Sequence, residues 1–231
     1  MTRADPRLYV ALDLPGVEEA RALTAAIGDA VISYKIGLQL LPIGGMDLAR
    51  ELIDQGKHVF LDFKFHDIDA TVEKAVRSVA GLGADILTVH ARPDVMAAAA
   101  RGKAGSGLRV IGVTVLTSLN KPALEAIGYT DDAQSLVMRR TQQALDAGVD
   151  GIVSSPLEAA AARKIVPDDF LIVTPGVRMP GGDKGDQKRV ATPFDAIKNG
   201  ASHIVVGRPI NAARDPRAAA IAITANMRGG S

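Results

Sequence analysis

The sequence contains no cysteine, and this absence excludes several classes of function. Without thiols the chain cannot form disulfides, use a thiolate as a nucleophile or bind zinc through sulfur. Aromatic residues make up only 3% of the chain. Any buried core must therefore be built from aliphatic side chains and alanine, and the hydrophobic residues, 47% of the chain, supply enough of them.

Neither sign of charge is in excess, because the chain has 27 basic and 26 acidic residues and a formal net charge of +1. Such a balance creates no overall field that would attract nucleic acid or lipid. Residues 1–7 lack the apolar stretch of a signal peptide, and the apolar runs elsewhere are too short to span a bilayer. We therefore expect a soluble cytoplasmic protein with no nucleic-acid or membrane partner, which binds small molecules or copies of itself.

A short local pattern recurs four times along the chain. In each copy a helix-like stretch ends at a glycine, one or two small or polar residues follow, and an apolar run of strand length comes next. The four glycines are Gly56, Gly83, Gly148 and Gly200. Glycine accepts the left-handed conformation that ends a helix, and β-branched residues favour extension. Each copy therefore predicts a turn from a helix into a strand.

The same reasoning over the whole chain predicts eight strands separated by helices. The predicted strands are 8–13, 31–36, 58–64, 85–90, 109–115, 149–154, 170–175 and 202–207. The clearest helices are 17–27, 69–82, 133–147, 157–165 and 193–198. Strict alternation implies parallel strands, and eight of them in 231 residues predict a closed (β/α)8 TIM barrel, with a single catalytic domain over 1–231.

An open doubly wound sheet is the alternative architecture, although no Gly-x-Gly-x-x-Gly turn follows the first predicted strand. The segment 176–190 is polar, rich in glycine and without periodicity. It is too long for an ordinary turn, so we expect it to form a lid over an active site.

Charged residues end the first three predicted strands, where active sites of such barrels lie. They are Asp13, Lys35, Asp62 and Lys64. Alternation along the third strand directs Asp62 and Lys64 to the same face, towards the barrel mouth. Because an unpaired buried charge is costly, we expect these four groups to form an alternating, mutually paired network. A cluster of purely structural ion pairs is the alternative interpretation.

Asp62, Lys64 and Asp67 resemble the Asp-x-Lys-x-x-Asp signature of the orotidine 5'-monophosphate decarboxylase family. Six further segments are similar to that family in order and spacing: 11–13, 34–37, 113–118, 174–178, 186–193 and 204–208. The resemblance covers nearly the whole chain, from Leu8 to Arg208. It implies a barrel enzyme that converts orotidine 5'-monophosphate into uridine 5'-monophosphate and carbon dioxide, the last step of de novo UMP biosynthesis, with no metal or other cofactor.

Loss of carbon dioxide from C6 of the pyrimidine leaves a carbanion, which an enzyme without a cofactor must stabilise electrostatically. The resemblance implies that Lys64 supplies both the positive charge and the proton that replaces the carboxylate. It implies that Asp62 lies near the departing carboxylate and holds Lys64, and that Asp13 and Lys35 complete the charge network and contact the ribose. Asp67 is implied to serve the active site of the neighbouring subunit.

The substrate phosphate requires a site of its own, and barrels of this type commonly bind phosphate after the seventh and eighth strands. Arg178, Gln187, Gly207 and Arg208 lie there in the sequence. Glycine permits close approach of the backbone, and the arginines offer bidentate contacts. The resemblance further implies that Gln187 reaches the pyrimidine and that the segment 176–190 closes over the phosphate.

Two further contacts follow from the same resemblance. Thr117 or Ser118 is implied to contact the base, and Thr117 is our preferred choice. Thr71 is implied to contact the ribose from the partner subunit, so the family pattern predicts a homodimer with shared active sites. The four histidines show no metal-ligand spacing, and we interpret them as structural.

Three rival functions are compatible with a barrel. A sugar-phosphate decarboxylase or aldolase would need an acidic magnesium ligand at the end of the second strand, where this chain has Lys35. A Schiff-base aldolase would need a neutral lysine, whereas the neighbouring carboxylates favour the charged form. A non-catalytic nucleotide-binding protein would not need the full set of charged residues.

Overall fold

The computed structural model describes residues 4–181 and 190–229, and within them eight parallel strands close into a barrel. Each strand pairs with the next along the chain, and the last pairs with the first. The strands are β1 (Leu8–Ala11), β2 (Ser33–Gly37), β3 (His58–Phe65), β4 (Ile86–His90), β5 (Arg109–Val113), β6 (Gly151–Val153), β7 (Leu171–Thr174) and β8 (His203–Val206). The predicted barrel is confirmed, and the open sheet is wrong.

Helices connect the strands on the outside of the barrel. Those in the described residues are α1 (Val17–Ile27), α2 (Gly45–Asp54), α3 (Asp69–Ala80), α4 (Pro93–Gly102), α5 (Lys121–Ala126), α6 (Ala133–Asp146), α7 (Ala159–Arg163), α8 (Pro193–Lys198), α9 (Arg208–Asn211) and α10 (Pro216–Met227). Two 3-10 turns cover Gly28–Ala30 and Leu41–Ile43. No helix in this part of the chain is long and apolar enough to cross a membrane.

Local chemistry explains where many of these helices begin and end. The four glycines of the recurrent pattern all have positive φ angles, which are 72° at Gly56, 82° at Gly83, 73° at Gly148 and 96° at Gly200. Side chains at the start of four helices accept a hydrogen bond from a first-turn N–H, and these are Asn120, Asp132, Thr192 and Asp215. Helix α7 is shorter than the predicted 157–165. In the turn before it, the Ser155 hydroxyl accepts from the Leu157 N–H at 3.3 Å.

The apolar core has two layers, as expected for a barrel. The larger layer lies between the strands and the helices, and it includes Leu61 and Phe63 of β3. The smaller layer fills the barrel interior with Tyr9, Ala11, Phe60, Ile86, Ile111, Leu171, Val173 and Val205. Because apolar side chains fill the barrel interior, the inward-facing polar side chains lie at the C-terminal ends of the strands, where active sites of such barrels lie.

The proposed lid is only partly described, since residues 182–189 lie outside the described ranges, and Gln187 is among them. The two flanks of this segment meet. Val177 and Ala191 form an isolated parallel bridge, and the Arg178 N–H donates to the Ala191 carbonyl at 3.0 Å. The segment therefore leaves and rejoins the barrel at one place beside β7.

Candidate active site

A cavity of about 560 Å³ opens at the C-terminal ends of the strands. Its floor is apolar and includes Ala11, Phe60, Val153, Val173 and Val205. Its polar wall contains Asp13, Lys35, Asp62, Lys64, Thr117, Ser118, Arg178, Gly207, Arg208 and Asn211. The barrel thus brings together predicted residues from six strand ends that lie far apart in the sequence.

Four charged side chains form an alternating chain along one side of this cavity. The Lys64 Nζ lies 2.8 Å from Asp62 Oδ1, and the Lys35 Nζ lies 3.5 Å from Asp62 Oδ2. Lys35 also donates to Asp13, with 3.0 Å between its Nζ and Oδ1. The Asp62 carboxylate therefore lies between two ammonium groups, in the paired arrangement that the cost of burying single charges requires.

The exposed fraction of these side chains changes along the chain of charges. It is 7% for Lys35, 17% for Asp62, 26% for Lys64 and 48% for Asp13. Burial alone would raise the pKa of Asp62. The positive charges of Lys35 and Lys64, with hydrogen bonds from Lys64 and Thr88, outweigh burial and hold that pKa below its usual range. Asp62 is therefore a carboxylate at neutral pH.

The backbone of β3 is irregular where these charges stand. Leu61 pairs with Leu87 of β4, but the next pair is Phe65 with Val89, so the register shifts. Within this irregular stretch Lys64 has a φ of 51°, and among the described residues no other non-glycine has a positive φ. Thr88 of β4, which sequence reasoning missed, contacts both Asp62 and the Lys64 backbone.

The strand ends that follow on the other side of β1, those of β8 and β7, carry the residues expected to hold phosphate. Arg178 follows β7, and Gly207 and Arg208 follow β8. A Cβ added at Gly207 would meet only Ala11, at an ordinary 3.7 Å. Contacts within the described chain therefore do not demand glycine there.

Asn211 also lines the cavity, and sequence reasoning missed it. Its Nδ2 donates to the Ala11 carbonyl at 2.7 Å, which ties the end of α9 to β1. Its Oδ1 is buried without a hydrogen-bond partner among the described residues. Thr117 and Ser118 both line the cavity, Thr117 buried and Ser118 exposed, so the geometry does not choose between them.

Asp67 and Thr71 do not line the cavity of their own chain. Both side chains are exposed, Asp67 just beyond β3 and Thr71 in the first turns of α3. The Asp67 carboxylate accepts from the Ile68 N–H at 2.7 Å and borders a separate depression. The structure therefore brings the other described site residues together without these two.

The histidines lie outside the cavity lining. His58 contacts Asp85 at 2.8 Å, and His203 contacts the Ser202 hydroxyl at 3.0 Å. Burial, followed by the nearby positive charges of Arg109 and Arg7, lowers the pKa of His203 to about 4. In the described ranges, no group of three or more histidine or acidic side chains could hold a metal ion.

Comparison with known proteins matches residues 6–223 to the sequence model of the orotidine 5'-phosphate decarboxylase / HUMPS family. The chain belongs to this family. An orotidine 5'-phosphate decarboxylase of Caulobacter sp. (strain K31) is 58% identical over 226 residues, which cover 98% of this chain and 99% of the relative. That of Caulobacter vibrioides (strain NA1000 / CB15N) is 56% identical over 230 residues, again 98% and 99% of the two chains.

Solved structures agree with this membership of the decarboxylase family. The crystal structure of orotidine 5'-phosphate decarboxylase from Lactobacillus acidophilus is similar with a TM-score of 0.85 at 35% identity, over 96% of this chain and 99% of that one. An uncharacterized conserved protein from Geobacillus kaustophilus gives a TM-score of 0.81 at 30% identity, over 95% and 99%. The resemblance inferred from the motifs is therefore confirmed.

Proposed function

We propose that the charged cavity is where this chain decarboxylates orotidine 5'-monophosphate, with Lys64 as its central catalytic residue. The chain is a decarboxylase of pyrimidine biosynthesis that converts orotidine 5'-monophosphate into uridine 5'-monophosphate and carbon dioxide. The observation that carries the site assignment is the Lys64 ammonium, held 2.8 Å from Asp62 at the edge of a substrate-sized cavity.

In the proposed reaction the bond between C6 and the carboxylate breaks, and its electron pair remains on C6. The Lys64 ammonium stabilises that charge, because a fixed cation in a cavity that excludes water is worth far more than one in water. Lys64 then gives C6 a proton, and its neutral amine regains one from solvent. Carbon dioxide leaves and uridine 5'-monophosphate remains, so atoms and charges balance.

Asp62 has two tasks in this proposal. It holds Lys64 in position through the 2.8 Å ion pair, and it lies near the carboxylate that the substrate loses. Two carboxylates at close range repel each other, and this repulsion disappears when carbon dioxide forms. Because Asp62 stays ionised at neutral pH, the repulsion is present in the bound substrate.

The remaining cavity residues bind the rest of the nucleotide. Arg178, Gly207 and Arg208 hold the phosphate, together with Gln187, which lies outside the described residues. The segment 176–190, of which residues 182–189 lie outside the described ranges, is expected to close over this group, and the bridge between Val177 and Ala191 at its flanks supports this expectation. In addition, Asp13 and Lys35 contact the ribose, and Thr117 or Ser118 contacts the base.

We also propose that the enzyme is a cytoplasmic homodimer with composite sites, each subunit being one barrel domain over 1–231 that binds no nucleic acid. Asp67 and Thr71 then complete the partner's cavity. Their exposure in the single chain supports this arrangement, as does Ile68 between them, of which 72% is exposed. Burial of an exposed isoleucine side chain against a partner subunit removes apolar surface from water and therefore stabilises the dimer.

The decisive experiment adds orotidine 5'-monophosphate to purified enzyme in a strong chelator and follows the ultraviolet absorbance of the pyrimidine. We expect conversion to uridine 5'-monophosphate with no added metal or cofactor, and loss of turnover in a folded Lys64→Ala variant. Activity that requires a divalent metal would favour the sugar-phosphate rival, and an active Lys64→Ala variant would contradict the site assignment.

A further inference from the structure

We propose that Thr88 is a positioning residue, whose hydroxyl fixes the backbone of Lys64 and the carboxylate of Asp62 in the geometry needed for decarboxylation. The inference rests on the proposed function, and it concerns a residue that does not line the substrate cavity. Thr88 is fully buried in β4, with 0% of its surface exposed.

The need for such a residue arises from the strand pairing. Leu61 pairs with Leu87, and Phe65 pairs with Val89. Three residues of β3 therefore lie opposite Thr88 alone, and the regular ladder of backbone hydrogen bonds is interrupted. A bulge of this kind redirects side chains, but it leaves backbone groups that must find other partners.

Thr88 supplies the missing partner with its side chain. Its Oγ1 accepts a hydrogen bond from the Lys64 N–H at 3.0 Å and donates one to Asp62 Oδ1 at 3.0 Å. The same Asp62 oxygen accepts from the Lys64 Nζ at 2.8 Å. One hydroxyl thus connects the backbone of the proton donor to the carboxylate that holds its ammonium.

The conformation of Lys64 makes this connection costly to lose. Its φ of 51° lies in the left-handed region, which is unfavourable for residues with a Cβ. A conformation of this kind persists only where surrounding contacts enforce it. Without the hydroxyl the Lys64 N–H and Asp62 each lose a partner, and Lys64 is free to leave the left-handed conformation, which displaces its ammonium from Asp62.

The test uses two isosteric pairs at this position. Threonine and valine have the same shape but differ in the hydroxyl, and serine and alanine differ in the same way. We expect Thr88→Val and Thr88→Ala to lower kcat on the order of 10- to 100-fold, as displacements of about 1 Å do in active sites. Thr88→Ser should stay close to the wild-type kcat, although it loses a methyl group.

A purely structural role predicts the opposite order. Packing in a fully buried position favours valine over serine, because valine keeps both branches and serine leaves a small cavity. A kcat that follows side-chain volume, or Thr88→Val with wild-type kcat, would overturn the proposal. Inhibition by uridine 5'-monophosphate should change little in all the variants, because Thr88 does not line the cavity.

A matched control removes a buried hydroxyl elsewhere. Thr141 of α6 is also 0% exposed, and its Oγ1 donates to the Val137 carbonyl at 2.8 Å. Thr141→Val should leave kcat unchanged. If it slows turnover as much as Thr88→Val does, the effect is a general response of the core and the positioning role is wrong.

Hydrogen exchange of the Lys64 amide tests the inference without any activity measurement. We expect this amide to be protected in the wild type and in Thr88→Ser, and to exchange faster in Thr88→Val and Thr88→Ala. An inactive wild type would refute the proposed function, but the relative exchange rates of the Lys64 amide in the four proteins would still test whether Thr88 fixes the Lys64 backbone. Equal exchange in all four proteins would overturn the Thr88 inference while leaving the proposed function intact.

Discussion

Substitution of Gly37 by alanine should open the ion pair between Asp13 and Lys35, which we propose to bind the ribose, without unfolding the protein. Gly37 is the last residue of β2 and pairs with Asp62. A Cβ at this position would lie 2.8 Å from Asp13 Oδ1 and 3.0 Å from the Lys35 Nζ. The first distance is too short and the second is tight, so the end of the Asp13 or Lys35 side chain must move, and we expect the pair to open. Asp13 is half exposed and can turn into solvent, whereas Lys35 is buried and keeps only Asp62 at 3.5 Å.

The expected loss can be worked from these contacts. A hydrogen bond between charged groups contributes about 1.5–3 kcal/mol, and the exposure of Asp13 places this one at the lower end. A loss of about 1.4 kcal/mol corresponds to roughly tenfold in kcat/KM. Because the pair is proposed to bind the ribose, the affinity for uridine 5'-monophosphate should fall by a similar factor.

The assay compares decarboxylation and product binding in Gly37→Ala and in a matched control. Gly107 has no atom within 4 Å of an added Cβ and lies outside the cavity, so Gly107→Ala should behave as the wild type. Thermal unfolding shows whether either variant is destabilised. A folded Gly37→Ala enzyme with unchanged kcat/KM and product affinity would refute the role given to the Asp13–Lys35 pair.

Arg208→Ala should reduce kcat/KM for orotidine 5'-monophosphate far more than for the phosphate-free nucleoside, since only the nucleotide makes the contact; equal losses would make Arg208 structural. Inactive Asp67→Ala and Lys64→Ala homodimers, once subunits exchange, should regain about a quarter of wild-type activity, because half the dimers then hold one intact site. Demonstrated exchange without recovery would place Asp67 in its own chain's site. His203, whose pKa is lowered from 6.5 to about 4, binds a proton more readily in the unfolded chain. The neutral form of His203 therefore stabilises the fold fully above pH 6.5, and this part of the free energy of unfolding, up to about 3 kcal/mol, is lost as the pH falls towards 4. Between these pH values the free energies of unfolding of the wild type and His203→Gln, measured with denaturant, should diverge. Parallel pH profiles would contradict the lowered pKa of His203.

Much of the fold was predictable because its signals are local. A glycine such as Gly148 or Gly200 ends a helix through its own φ angle, and the apolar run behind it extends by its own preference. Repeated alternation then leaves parallel strands as the arrangement, and their number gives the barrel. The start of α7 was less predictable, since the Ser155 side chain accepts a hydrogen bond from Leu157 in the turn before it.

The charged part of the candidate site was also predictable, for a different reason. Period-two alternation assigns Asp62 and Lys64 to one face of β3, and the cost of unpaired charge predicts that Lys35 and Asp13 pair with them. The motif resemblance was specific because several such strand ends matched in order. Asp67 shows the limit of this reasoning. The motif identifies the residue, but it does not show whether Asp67 acts in the cavity of its own chain or in that of a partner subunit.

The sequence by itself thus determined the barrel, the family and the order of charges at the strand ends, because each depends on local preferences and on spacing along one chain. Only the tertiary structure decided that Thr88 holds the irregular part of β3, that a Cβ at Gly37 would crowd the Asp13–Lys35 pair and that Asn211 joins α9 to β1. Threonine, glycine and asparagine are ordinary in the sequence at these places. Their importance comes from atoms of neighbouring strands within about 3 Å, and such distances exist only once the barrel has closed.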